Sequence, residues 1–214
     1  MSLSLAFLLN SMKPPTQIIL LEITMIKLII GLGNIGTAYQ DTRHNAGFWF
    51  VETLAEKFNI HLADDKKFHG RVGRGTIYGH DIRLLLPNTL MNRSGLAVAP
   101  MAKFYTIRSD EILIAHDELD IAAGNIRLKK GGGHGGHNGL RDIVPHIGAD
   151  FYRLRIGIGR PIHTSKVSDW VLSKPSLNDK ISIDKAIECS IDALDLLLKN
   201  DVQKATNQIN GFKL

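Results

Sequence analysis

One cysteine, Cys189, stands in a chain of 214 residues. It cannot form an internal disulfide, so apolar burial must hold the fold, and the chain reads as one from a reducing compartment. No stretch of about 18 apolar residues occurs, which excludes an ordinary membrane-spanning helix. The nucleophile-elbow pattern G-x-S-x-G is absent, so a covalent mechanism lacks its serine. Internal repeats are absent too. Acids are scarce in one region. Between Ile121 and Pro175 nine lysines and arginines, among them Arg127, Lys129, Arg153 and Arg155, face only Asp142, Asp150 and Asp169. That surplus of six exceeds the net charge of +5, so the rest of the chain is near neutral and one face is expected to meet a polyanion.

What is present is enough for one good core: 44% of the residues are hydrophobic. Residues 1–24 carry no basic residue ahead of their apolar opening, and Lys13-Pro14-Pro15 interrupts them, which argues against a secretory signal. They read as an extension outside the fold, either disordered or upstream of a true start at Met25, with a single domain over residues 25–214. In that domain apolar runs alternate with amphipathic stretches. Strands are expected at Leu28-Ile29-Ile30, Glu111–Ala115, Ile126–Lys129 and Tyr152–Gly159, with a hairpin from Arg71 to Leu86 turning at Gly79-His80. Helices are expected from Asn45, from Ser94 to Tyr105, from Leu140 to Ile147 and from Ser176 to Lys199, the last with an apolar stripe that includes Ile181. This pattern predicts an α/β fold with a mixed, mostly parallel sheet flanked by helices.

The first strand runs into Gly31-Leu32-Gly33-Asn34-Ile35-Gly36, which fits the dinucleotide fingerprint letter for letter. That fingerprint needs a helix to open at once, so that its N-terminus faces the pyrophosphate. Here Thr37 to Arg43 has no apolar periodicity, and the acidic residues at the right distance, Glu52 and Glu56, lie inside the following helix. The letters match and the context does not.

Chemistry-bearing residues collect at strand ends. His44 follows the first strand, His116-Asp117 follows the third, and five glycines lie between Lys130 and His137-Asn138. A histidine oriented by a carboxylate can take a proton from water, and neutral amides can steady the resulting oxyanion, a set suited to ester hydrolysis. Asn92 fits a helix cap at least as well as a site amide. Two rivals remain on the residues alone. One is a metal-dependent hydrolase using His116, Asp117, His134 and His137. The other is an RNA-binding module without catalysis.

In order along the chain, GLGNIG, TRHNAGF, MNRSG, AHDELD, GGGHGGHNGLRDI and RLRIGIGRP resemble the bacterial peptidyl-tRNA hydrolase family. The resemblance implies a cytoplasmic, monomeric, single-domain enzyme without metal, organic cofactor or obligate protein partner. It would cleave the ester between a peptide and tRNA. It implies that His44 is the general base, that Asp117 orients it, and that Asn34 reads the peptide's first amide. Leu90, Met91, Asn92, His137 and Asn138 would lie against the substrate, and Tyr39, Lys129 and Arg155 against tRNA. Three positions depart from the family pattern, the atypical Gly33 among them. Ile35 stands where the family has proline. Leu90 replaces an aromatic, which implies a lost stacking contact of about 1–3 kcal/mol.

Overall fold

A computed structural model describes residues 25–161 and 166–213; the expectation for residues 1–24 lies outside them. Strands β1 (Leu28–Gly31), β2 (Ala63–Asp65), β3 (Gly70–Ile77), β4 (His80–Pro87), β5 (Ile112–Glu118), β6 (Ile126–Lys130) and β7 (Tyr152–Gly157) form one sheet in the order β2-β3-β4-β1-β5-β7-β6. Its centre, β4-β1-β5-β7, is parallel, and antiparallel partners flank it on both sides. Because β1 and β5 are covered on both faces, they read as unbroken apolar runs. Ile29, Leu113 and Ala115 pack on the face carrying α1 (Ala46–Lys57), α5 (Leu177–Leu198) and α6 (Val202–Gly211). Leu28, Ile30, Ile112 and Ile114 pack on the face carrying α2 (Gly95–Phe104) and α3 (Asn138–Ile147). A short α4 (Val167–Val171) precedes α5. Among the described residues no helix is long and apolar enough to cross a membrane.

Strand β1 has β4 on one side and β5 on the other, and the chain leaves β1 and β4 through helices on opposite faces of the sheet. The carboxyl end of β1 is therefore the switch point at which open α/β sheets leave a crevice. The glycines of the false fingerprint serve packing. A Cβ on Gly31 would lie 2.2 Å from the Gly47 carbonyl oxygen, and one on Gly33 would lie 2.6 Å from the Phe48 ring. Helix α1 starts only at Ala46, ten residues after Gly36. No helix opens directly from the glycines, and the α1 N-cap Asn45 is bonded to Asn34 of the loop itself, so the dinucleotide context is missing in space as well.

Gly47 is the reciprocal half of that contact: a Cβ there would sit 2.3 Å from the Ala115 carbonyl oxygen and 2.5 Å from the Leu32 nitrogen. Backbone cannot move aside as a side chain can. Gly47→Val is therefore expected to destabilise the fold by about 3 kcal/mol, read as a lower urea midpoint at unchanged m-value.

Several expected details shift. Ile77 pairs with His80, so the hairpin turns at Tyr78-Gly79, one residue earlier than expected. Both residues have positive φ, 48° and 86°, which is the type I′ geometry whose twist suits a hairpin. The edge strand β2, with its sequence Ala-Asp-Asp, carried no apolar signal. Strand β5 continues through His116 and Asp117, so these two sit on a strand and not in a loop. Ile181 of the α5 stripe is 45% exposed, and the neighbouring Ile183 is buried in its place.

Candidate active site at the carboxyl edge of the sheet

Strand alternation sends consecutive side chains of β5 to opposite faces. Asp117 follows Leu113 and Ala115 toward α1, where His44 lies in the short turn just before that helix. His116 follows Ile112 and Ile114 toward α3. Asp117, 4% exposed, uses one oxygen for two histidines. Its Oδ1 lies 2.8 Å from His44 Nδ1 and 3.0 Å from His137 Nε2. An ionised carboxylate only accepts, so both nitrogens facing it carry the hydrogen. That leaves His44 with a lone pair on Nε2, on a residue that lines the cavity. His137 is left with a lone pair on Nδ1, which accepts the Leu140 N–H at 3.3 Å as the cap of α3. His116 Nδ1 donates to the Asp117 carbonyl at 2.7 Å, and its ring meets His137 edge-on at 4.9 Å.

These contacts set the charges. Burial resists ionisation of Asp117, but His44 and His137 and their hydrogen bonds outweigh it and hold the carboxyl well below the usual range. Burial also resists a proton on His44, and the Asp117 carboxylate again outweighs it, raising the imidazole above its ordinary 6.5. For His116, burial and the neighbouring His137 dominate and push it down to about 3. His116 is therefore neutral at any physiological pH.

The amides complete a cavity of about 350 Å³ lined by Asn34, His44, Met91, Asn92, Asp117, His137 and Asn138. Asn34 is held from three directions. Its N–H donates to Asn45 Oδ1 at 2.8 Å, its carbonyl accepts Asn45 Nδ2 at 3.0 Å, and its Oδ1 accepts the Met91 N–H at 2.7 Å. With Oδ1 engaged, only Nδ2 remains to donate. Asn138 repeats the device: its Oδ1 accepts from Arg141 at 3.2 Å. Asn92 does not cap α2. The N-terminal position belongs to Ser94, and the Gly95 N–H donates to Asp142 Oδ2 at 2.7 Å, so the Asn92 amide stays free at the cavity. Leu90, 50% exposed, lines the same cavity.

Three arrangements escaped sequence reading. Arg43, beside His44, is buried; its guanidinium donates to Ser173 Oγ at 2.7 Å and to the Lys174 carbonyl at 2.8 Å, and stacks 3.7 Å over Trp170. It thereby ties the turn carrying His44 to α4, whose Val167, Ser168 and Val171 wall the cavity. Arg153, counted above with the surface cations, is 3% exposed. It donates to the Gly132 and Gly133 carbonyls and lies 4.5 Å over Phe151, anchoring the glycine loop that leads to His137. Asn45, which fastens Asn34, gave no signal beyond its place next to His44. For Arg153 the only available hint was the alternation of β7, which put it on the face shared with Arg155.

Lys129 and Arg155 stand together over a second cavity of about 580 Å³ at β6 and the loop that leads into it, with Asp120, Arg127 and Asn210. Arg155 is paired there with Glu118 at 2.9 Å. Arg160 pairs with Asp120 and Lys174 with Asp41, acids from outside the basic stretch, so the surface surplus is smaller than the sequence count. Tyr39 is half-buried in the loop after Gly36 and lines none of these cavities. The metal set His116, Asp117, His134 and His137 does not assemble: His134 Nδ1 accepts the Gly136 N–H. Among the described residues His44, Asp117 and His137 alone bring ligand atoms within 4.8 Å of one another, and there the atoms are engaged with each other.

Comparison with known proteins identifies the family. Residues 28–214 match the model of the family described as Peptidyl-tRNA hydrolase. The chain is 67% identical over 189 residues to the peptidyl-tRNA hydrolase of Psychrobacter cryohalolentis, covering 88% of this chain and 98% of that one. It is 60% identical to the Acinetobacter baumannii enzyme of that name, covering 88% and 97%. A crystal structure of peptidyl-tRNA hydrolase from Acinetobacter baumannii superposes with a TM-score of 0.87 at 59% identity, over 89% of this chain and 97% of that chain.

Proposed function

The chain belongs to the peptidyl-tRNA hydrolase family, and on that footing we propose how its cavity hydrolyses the ester between a peptide and tRNA. The observation that carries the reading is the 2.8 Å contact of His44 Nδ1 with Asp117, which leaves Nε2 unprotonated on the cavity side. His44 takes a proton from a water as that water's oxygen attacks the ester carbonyl. The developing oxyanion accepts hydrogen bonds from the free amides of Asn92 and Asn138, while the Asn34 amide holds the peptide beside the ester. The carbon–oxygen bond to the terminal ribose then breaks, and the imidazolium returns its proton to the ribose oxygen. Base catalysis of this kind contributes a factor of about 10²–10⁴.

Met91, His137 and Leu90 shape the cavity around the acyl group. Lys129 and Arg155 hold tRNA phosphate over the β6–β7 cavity, and Tyr39 contacts tRNA from the first loop. The enzyme works as a monomer in the cytoplasm, where its substrate is found.

The primary test is hydrolysis of N-acetyl-aminoacyl-tRNA beside unblocked aminoacyl-tRNA, with and without EDTA. Cleavage of the blocked ester alone, at a rate indifferent to EDTA, is the expected result; dependence on an added cation would replace this reading. The pH profile gives a second check. The base must be unprotonated and Asp117 raises its pKa, so kcat/KM should climb with pH through a limb above 6.5. A limb at or below 6.5 would remove His44 from the role.

A further inference from the structure

Arg153 is a buried cation with no acid to answer it. Burial and the neighbouring Arg155 both work against its charge, and no carboxylate offsets them. An arginine keeps its proton all the same, so fixed dipoles must take the place of water around it. Those dipoles are the carbonyls of Gly132 and Gly133, with that of Ala149 at 3.5 Å.

Two successive carbonyls turned onto one guanidinium fix what the other side of the loop presents. No described peptide bond is cis, and in a trans peptide the N–H points opposite to the carbonyl of the same unit. The unit that offers Arg153 the Gly132 carbonyl carries the Gly133 N–H, and the next unit carries the His134 N–H. Both N–H groups therefore point away from Arg153, on residues exposed to solvent. Among the described residues neither meets an acceptor. A cation at the carbonyl end polarises each unit and strengthens its N–H as a donor. Gly131 and Gly132 allow the turn, with φ of 67° and 108°.

Charge and position name the ligand. Adjacent backbone donors backed by a cation suit an anion with several oxygens. Lys129 adds a second cation beside them, its Nζ lying 3.3 Å from where a Cβ on Gly132 would stand. In the other direction the loop continues into His134, Gly135 and Gly136, which line the cavity of His44 and Asn138. An anion on this loop is thus close to the ester. In the substrate the nearest anion to the ester is the phosphate on the 5′ carbon of the same terminal ribose.

We propose that the Gly133 and His134 N–H groups bind the 5′-phosphate of the terminal nucleotide, and that Arg153 is the positioning residue that turns them toward it; the proposal rests on the reading of His44 as the base at the ester. The phosphate carries the same charge in ground and transition states. The contact should therefore lower KM and leave kcat alone.

The experiment measures kcat and KM for N-acetyl-aminoacyl-tRNA with its natural last internucleotide phosphate, and for the same ester with a neutral methylphosphonate at that linkage. Wild type is compared with Arg153→Lys, which keeps the charge but lacks the planar fork that holds two carbonyls at once. In wild type the methylphosphonate should raise KM about tenfold. Arg153→Lys should raise the KM of the natural ester about fivefold and that of the neutral ester by less than about twofold, with kcat little changed. A wild-type KM that ignores the methylphosphonate overturns the proposal, whether or not the variant folds. So does a lysine effect of equal size on both esters, or one confined to kcat, since either would mean that Arg153 only supports the loop. Failure of wild type to cleave the natural ester would instead sink the underlying reading of His44.

Discussion

His44→Ala is expected to lower kcat toward N-acetyl-aminoacyl-tRNA by about 10³–10⁴-fold while tRNA affinity stays within about twofold. The two quantities separate because His44 lines the catalytic cavity and not the one lined by the cations of β6-β7, and its side-chain hydrogen bond is to Asp117. The imidazole acts only when water attacks, so its loss falls on the chemical step. Stability should fall by about 1–2 kcal/mol, since removing the ring takes away one of the two hydrogen bonds to the buried Asp117 carboxylate. Single-turnover hydrolysis with a parallel binding titration reads both quantities. A variant that retains wild-type turnover would show that another group activates the water.

Asp117→Asn should come close behind, with a loss of about 10³-fold in kcat. The substitution keeps the shape and changes which nitrogen of His44 bears hydrogen. An asparagine amide facing Nδ1 makes that nitrogen the acceptor, which places the proton on Nε2 and removes the lone pair that activates water. The same exchange weakens two charge-assisted hydrogen bonds, to His44 and His137, so a stability loss of about 2 kcal/mol should accompany it. What distinguishes positioning from mere destabilisation is the pH profile. Without the carboxylate, burial alone acts on His44, and the residual activity limb should move to lower pH than in wild type. A limb that stays where it is would mean that Asp117 serves the fold and not the base.

Both predictions depend on an arrangement only partly visible in the chain. His44 and Asp117 were each legible as candidates because they follow apolar runs, and the carboxyl ends of buried strands are where an α/β sheet exposes its side chains. The motif resemblance paired them. That His137 shares the same Asp117 oxygen was not legible, since the two lie 20 residues apart with β6 and the glycine loop between them. Arg153 shows the same limit from the other side. In sequence it is one more cation in a basic stretch; in space it is buried against Phe151, its charge met by loop carbonyls. Asn92 looked like a helix cap because caps are a local matter, and it lost that role to an N-terminus satisfied from 47 residues away by Asp142.

Local chemistry thus settled the elements. Apolar runs made strands, the 3.6-residue period made α1 and α5, and the delayed start of α1 denied the glycine loop a nucleotide. These depend on neighbours within a few residues, so the sequence alone carries them. The tertiary structure decided what each polar group does. It chose which nitrogen of each histidine bears hydrogen, which amide oxygen is engaged, which arginine is buried, and where along the sheet the cavities fall. Those outcomes follow from contacts between segments far apart in the chain, and only a folded sheet brings them within hydrogen-bonding distance.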